Sequence, residues 1–221
     1  MRNQHVSTSQ RRLIIATGLA GLFASILVGV GEFLLHYDPQ ARYAEGFAFF
    51  EGVTRDRATI GHFIGVFGAP LYVVGACHIY LMLRPAGETA ARIAGVVMAY
   101  GCIIGAVWIG SRATAVELVA TGSPADQLAL YELRYENLLQ VVRVAVLVLS
   151  ALFVWLCLTG RTHYPRWLAL LNPIFLIILA FAIFFTAPAV GKFIMPIALN
   201  VAYFALFAAS LIYALKLNEK S

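Results

Sequence analysis

A chain of 221 residues that is 61% hydrophobic and 12% charged, with a mean hydropathy of +0.82, lacks the charge density of a soluble domain, about 25%. Its apolar runs leave no stretch long enough for a soluble domain of ordinary size, so composition places it with the helical membrane proteins. The net charge of +5 is no nucleic-acid signature: the basic residues flank apolar runs and form no cluster with aromatics on a polar face.

Arg2, Arg11 and Arg12 precede the first run, Leu13–Leu35. The run exceeds the roughly 7–15 residues of a signal-peptide core, and no A-x-A site follows, so it reads as a retained first span. Further spans are expected at 58–83, 92–113, 138–158, 166–185 and 193–215. The predicted fold is all-α, a single domain over 1–221 with six transmembrane helices.

Local signals mark the joints. Arg84-Pro85-Ala86-Gly87 closes the second span. Ser123-Pro124-Ala125-Asp126 starts a long fourth helix, whose apolar part begins near Leu138. Pro165 reads as the start of the fifth span, and Thr186 to Gly191 as a turn before the sixth. Pro70, Pro173 and Pro196 fall inside spans and are expected to kink or unwind them. Gly61/Gly65, Gly101/Gly105 and the Gly18, Gly21 pair have the spacing of close helix contacts. Cys77, Cys102 and Cys157 lie in apolar runs with no CxxC and read as small buried hydrophobes.

Nine Lys and Arg fall on the side holding both termini (Arg2, Arg11, Arg12, Arg84, Arg92, Arg161, Arg166, Lys216, Lys220), against five on the other. That bias predicts cytoplasmic N- and C-termini. The segment His36 to Arg57 mixes Phe47, Phe49, Phe50 and Val53 with charge. It reads either as an aromatic anchor in the outer interface or as a lid over a cavity.

Ionisable groups inside spans are costly and face the bundle interior or a cavity. Glu32 and His36 share a helix face at i, i+4, one turn from the outer end of the first span. His62, Arg112 and Lys192 lie at the same level. Glu132, Glu136 and Arg143 fall within about 40° on one helix wheel. Arg143 needs a carboxylate, and Glu32 or Glu136 is expected to supply it. Glu32, His36, His62, Glu136 and Arg143, with Glu132, therefore form a candidate catalytic or binding constellation. Glu32, His36 and His62 are the trio that a metal ion would use, and His36 and His62 the only histidines at one level for haem. No HExxH or comparable signature supports either, and the sequence names no cofactor.

His78 is expected to bond Asn172 near the inner end, and Asn200 to line a cavity or bond a carbonyl freed by Pro196. His163 reads as solvated. Trp108, Trp155 and Trp167 read as interface anchors.

The stretches Gly31-Glu32-Phe33-Leu34-Leu35-His36-Tyr37-Asp38, Gly61-His62-Phe63 and Gly68-Ala69-Pro70-Leu71-Tyr72 resemble an uncharacterised family of bacterial multi-pass membrane proteins. The resemblance implies a bacterial cytoplasmic membrane location and carries no activity. The function expected is binding of a lipid or hydrophobic small molecule, with enzymatic action open, in a polar pocket of the outer half. A small transporter with a 3+3 arrangement and a structural or assembly subunit are the alternatives. Ala69-Pro70-Leu71-Tyr72 and Asn172-Pro173-Ile174-Phe175 are faintly alike, too little to establish an inverted repeat.

Overall fold

The computed structural model describes residues 5–219. Arg2 and Lys220, counted in the charge bias, lie outside the described residues.

The first helix, α1 (Thr8–His36), begins at a capping box: Ser7 Oγ accepts from the Gln10 amide at 3.2 Å, and Gln10 Oε1 accepts from the Ser7 amide. It is followed by a 3-10 turn (Gly46–Phe50) and α2 (Arg55–Leu83), which is capped by Thr54. Next come a 3-10 turn (Arg84–Ala86), α3 (Glu88–Ala120) and α4 (Ala125–Leu158). A 3-10 segment (Arg166–Leu171) leads to α5 (Pro173–Thr186). The chain closes with α6 (Pro188–Ile194), a 3-10 turn (Met195–Ile197) and α7 (Ala198–Leu215).

Among the described residues, five helical stretches are long and apolar enough to cross a membrane: Thr8–His36, Arg55–Ala86, Glu88–Ala120, Ala125–Leu158 and Pro188–Leu215. The expectation of six such spans is corrected at 166–185. There the chain divides into the 3-10 segment and the 14-residue α5, which extends about 21 Å against a hydrocarbon core of about 30 Å. Pro173 is the cause. It has no amide to donate backward, and it sits at the first position of α5. Asn172 caps that helix, its Oδ1 accepting from the Phe175 amide at 3.0 Å. The other two prolines behave differently. Pro70 lies within an unbroken α2, and Pro196 sits in the 3-10 turn between α6 and α7. Ala69-Pro70 and Asn172-Pro173 are therefore not structural equivalents. The expected turn at 186–191 is shorter than predicted, because α6 starts at Pro188.

Helices α1 and α2 pack backbone to backbone. A Cβ on Gly31 would stand 2.5 Å from the Gly65 amide nitrogen and 2.7 Å from the Gly61 carbonyl oxygen. One on Gly75 would stand 2.7 Å from Gly21 Cα. Such approach needs the missing side chains on both helices.

The two ends of the described chain meet. β1 (His5–Val6) and β2 (Asn218–Glu219) form a short parallel pair, and Arg11 Nη2 donates to the Leu215 carbonyl at 2.9 Å. At this end His78 is buried, with Nδ1 2.7 Å from the Ile14 carbonyl and Nε2 2.5 Å from Ser210 Oγ. Tyr164 joins Ser210 at 2.8 Å. The expected His78–Asn172 bond is not made, because Asn172 is occupied in capping α5. His163, expected to be solvated, is half-buried, and its amide donates to the Met82 carbonyl at 3.0 Å. Burial, then the nearby Arg84 charge, lowers its pKa to about 4.

Candidate functional site

The opposite end of the bundle holds most of the predicted polar residues. Their arrangement begins with Glu32, the last acidic residue of α1 and buried at 5% exposure. One carboxylate oxygen lies 2.8 Å from Arg112 Nη2 on α3, and Arg112 is fully buried. The other accepts a hydrogen bond from Asn200 Nδ2 on α7. Tyr72 on α2 in turn donates its hydroxyl to Asn200 Oδ1 at 2.7 Å. Arg112 stacks over Trp108, one helical turn back, with Cζ 3.9 Å from the ring centroid, and lies 5.9 Å from the Tyr135 ring on α4. One buried polar chain thus ties together five helices.

Glu32 also faces a cavity of about 560 Å³, between α4, α5, the start of α7 and the loop after α1. Its polar lining residues include Glu32, His36, Glu132, Tyr135, Glu136 and Arg143. Its apolar lining residues include Leu139, Val142, Ile174, Ile177, Phe181 and Leu199. Shortness of α5 and the turn at Pro196 leave the space open, since neither element runs as a straight rod beside α4. Deeper in, a cavity of about 50 Å³ shares Glu32, Trp108, Val142, Val146 and Leu199 with the larger one and reaches Tyr72, Cys102 and Asn200. A volume of that order has room for a few water molecules.

The segment between α1 and α2 covers this end. Phe49, Phe50 and Val53 are buried, while Tyr43, Phe47 and Phe49 line the larger cavity. Phe47 meets Tyr135 edge to face at 5.4 Å, and His36 lies 4.4 Å from the Phe49 ring. Of the two sequence readings, the geometry matches the lid, because these rings pack inward against α1 and α4. A charged staple holds the segment. Asp38 accepts from the Arg42 amide at 3.0 Å and from Arg42 Nε at 2.9 Å, and Arg42 Nη1 reaches Glu51 at 2.5 Å. Burial opposes the Asp38 charge, but the Arg42 and backbone hydrogen bonds outweigh it and hold the carboxyl below its ordinary value. The Tyr43 hydroxyl donates to the Lys192 carbonyl at 3.2 Å, joining the lid to α6. Burial raises its pKa.

Glu32, His36, Glu132, Glu136 and Arg143 therefore meet around one cavity. His62 does not line it. The glycines at 61 and 65 press against α1, which turns His62 toward α3, where its Cε1 would be 3.8 Å from a Cβ on Gly110. Among the described residues, no three His, Cys, Asp or Glu side chains converge as metal donors, so Glu32, His36 and His62 make no donor set. Arg143 pairs with Glu136 at 2.5 Å, one of the two partners considered. The partner of Glu32, Arg112, was visible in sequence only as a cation at the same depth. Asn200 bonds Glu32 rather than a carbonyl freed by Pro196. Trp108 is buried in the site rather than anchored in the interface, whereas Trp155 and Trp167 are exposed.

No curated protein and no solved structure matches the chain. Residues 1–116, just over half of it, match a family of unknown function, and that stretch carries Glu32, His36, the lid, Tyr72 and Arg112. The chain belongs to this family of unknown function, DUF6796.

Proposed function

We propose that the chain is a single-domain, multi-pass membrane protein that binds a lipid or other amphipathic small molecule in the cavity beneath the lid. In this reading the 3-10 segment and α5 together make a sixth crossing. Support comes from the β1–β2 pair, since chain ends that meet at one end of a bundle require an even number of passes. The charge bias supports cytoplasmic termini. A bacterial cytoplasmic membrane is what the resemblance implies.

The observation that carries the binding reading is the mixed lining of the 560 Å³ cavity. A few ionisable groups from α1 and α4 stand among apolar side chains of α4, α5 and α7. Clefts of about 300–1,000 Å³ with few polar groups on an apolar background are the usual form of ligand sites. Glu32, His36, Glu136 and Arg143 serve in this reading as the polar end of a binding site. A transport path has less support: His78, Ser210 and Tyr164 bond one another at the other end, whereas Asn200 bonds Tyr72 and Glu32.

Native mass spectrometry of the protein in detergent, with added single-chain amphiphiles, tests this. Wild type is expected to retain one amphiphile per chain, and Ile177→Trp, which places a bulky ring in the apolar lining, to retain none while still folded. Equal retention by both, or none by folded wild type, would overturn the reading.

A further inference from the structure

Resting on the binding reading above, we propose that the cavity selects a cationic head group: an amphiphile with a protonated amine or quaternary ammonium and a single apolar tail. The charges around the lining do not balance. Glu32 is neutralised by Arg112 at 2.8 Å. Glu136 is neutralised by Arg143 at 2.5 Å. Glu132 lines the same cavity and has no counter-ion among the described residues. The lining therefore carries one uncompensated negative charge.

The Glu132 carboxylate lies close to the lid backbone at Gly46. Gly46 has a φ of +59°, and a Cβ there would stand 2.9 Å from Glu132 Oε1. A positive φ favours glycine at this position, and the absent side chain leaves the carboxylate its place beside the lid. Tyr43, Phe47, Phe49 and Tyr135 line the same cavity as Glu132, with Phe47 5.4 Å from Tyr135 and 6.4 Å from Phe49, and Tyr43 6.2 Å from Phe49. Aromatic faces attract cations, most strongly ammonium groups shielded from water. A cavity lined by an unpaired carboxylate and several aromatic rings is complementary to an ammonium. An anionic head group would meet Glu132 and an arginine already engaged by Glu136. The tail has Leu139, Ile174, Ile177 and Phe181 to lie against.

The test compares dodecyltrimethylammonium, dodecanoate and dodecanol, titrated into wild type and Glu132→Gln in dodecyl maltoside and read by native mass spectrometry. Glu132 is exposed, so its replacement leaves the fold intact. Wild type is expected to bind the ammonium probe at least about tenfold more tightly than dodecanoate, the ratio worth roughly one charge-assisted contact. Glu132→Gln should remove that preference and keep dodecanol binding. Phe47→Leu should weaken the ammonium probe more than dodecanol. Dodecanoate binding as well as the ammonium probe, or a preference that survives in Glu132→Gln, would overturn the cationic assignment while dodecanol binding leaves the cavity reading standing. Binding of none of the three would overturn both.

Discussion

Arg112 Nη2 stands 2.8 Å from the Glu32 carboxylate, and both side chains are removed from solvent. The pair joins α1 to α3 inside the bundle. Taking two charges out of water is expensive, and the attraction between them offsets that cost only while both are present.

Arg112→Met should therefore destabilise the protein strongly, by about 3–5 kcal/mol, because it leaves the Glu32 charge buried without its partner. Glu32→Gln combined with Arg112→Met should recover most of the loss. Thermal melts in detergent measure both. A single variant as stable as wild type would show that the pair is not a structural unit.

The α1–α2 contact gives a steric prediction. Gly31→Ala places a methyl group 2.5 Å from the Gly65 nitrogen, against backbone that cannot rotate away. A loss of about 1–3 kcal/mol is expected, as for other overpacked sites. Gly52→Ala, which meets nothing within 4 Å, should stay within about 0.5 kcal/mol of wild type. Equal melting temperatures for the two variants would contradict the close approach.

Lid order should depend on acid pH through Asp38. Its folded pKa lies below the ordinary 3.8, so its contribution is fully present above that value and is lost as pH falls through the lower folded pKa. Amide exchange over residues 38–51 should accelerate in that acid range for wild type. Asp38→Asn should exchange faster already at neutral pH, with no acid step of its own. An unchanged acid step in Asp38→Asn would assign it to another group.

His163 has the opposite charge chemistry. Its ordinary pKa is 6.5 and its folded value about 4. As pH falls below 6.5, the unfolded chain takes up a proton that the folded protein refuses, so stability declines between those two values. His163→Gln should flatten the melting temperature over that window. A wild-type melt already flat between pH 6.5 and 4 would refute the burial argument.

The helices were legible in the sequence because their causes are local. Apolar runs of sufficient length, Ser123-Pro124 before α4, and Arg84-Pro85-Ala86-Gly87 after α2 act through neighbouring backbone alone. Asn172-Pro173 carried the same kind of signal for the start of α5. The apolar run continues across it, so the sequence alone predicts a kink there rather than a helix start.

Pairing was legible only in part. Glu136 and Arg143 share one helix face, so a wheel brings them together. Glu32 and Arg112 lie on different helices, and in a membrane-type bundle faces toward lipid and toward protein are equally apolar, so periodicity gives no phase. That ambiguity also hid the turning of His62 toward α3 and the burial of Trp108. The cavity depends on a still longer range of causes: a short α5, a turn at Pro196 and a lid folded back from the end of α1. Local chemistry set which segments are helices and which residues need partners; only tertiary packing decided which helix supplies each partner and where space remains between them.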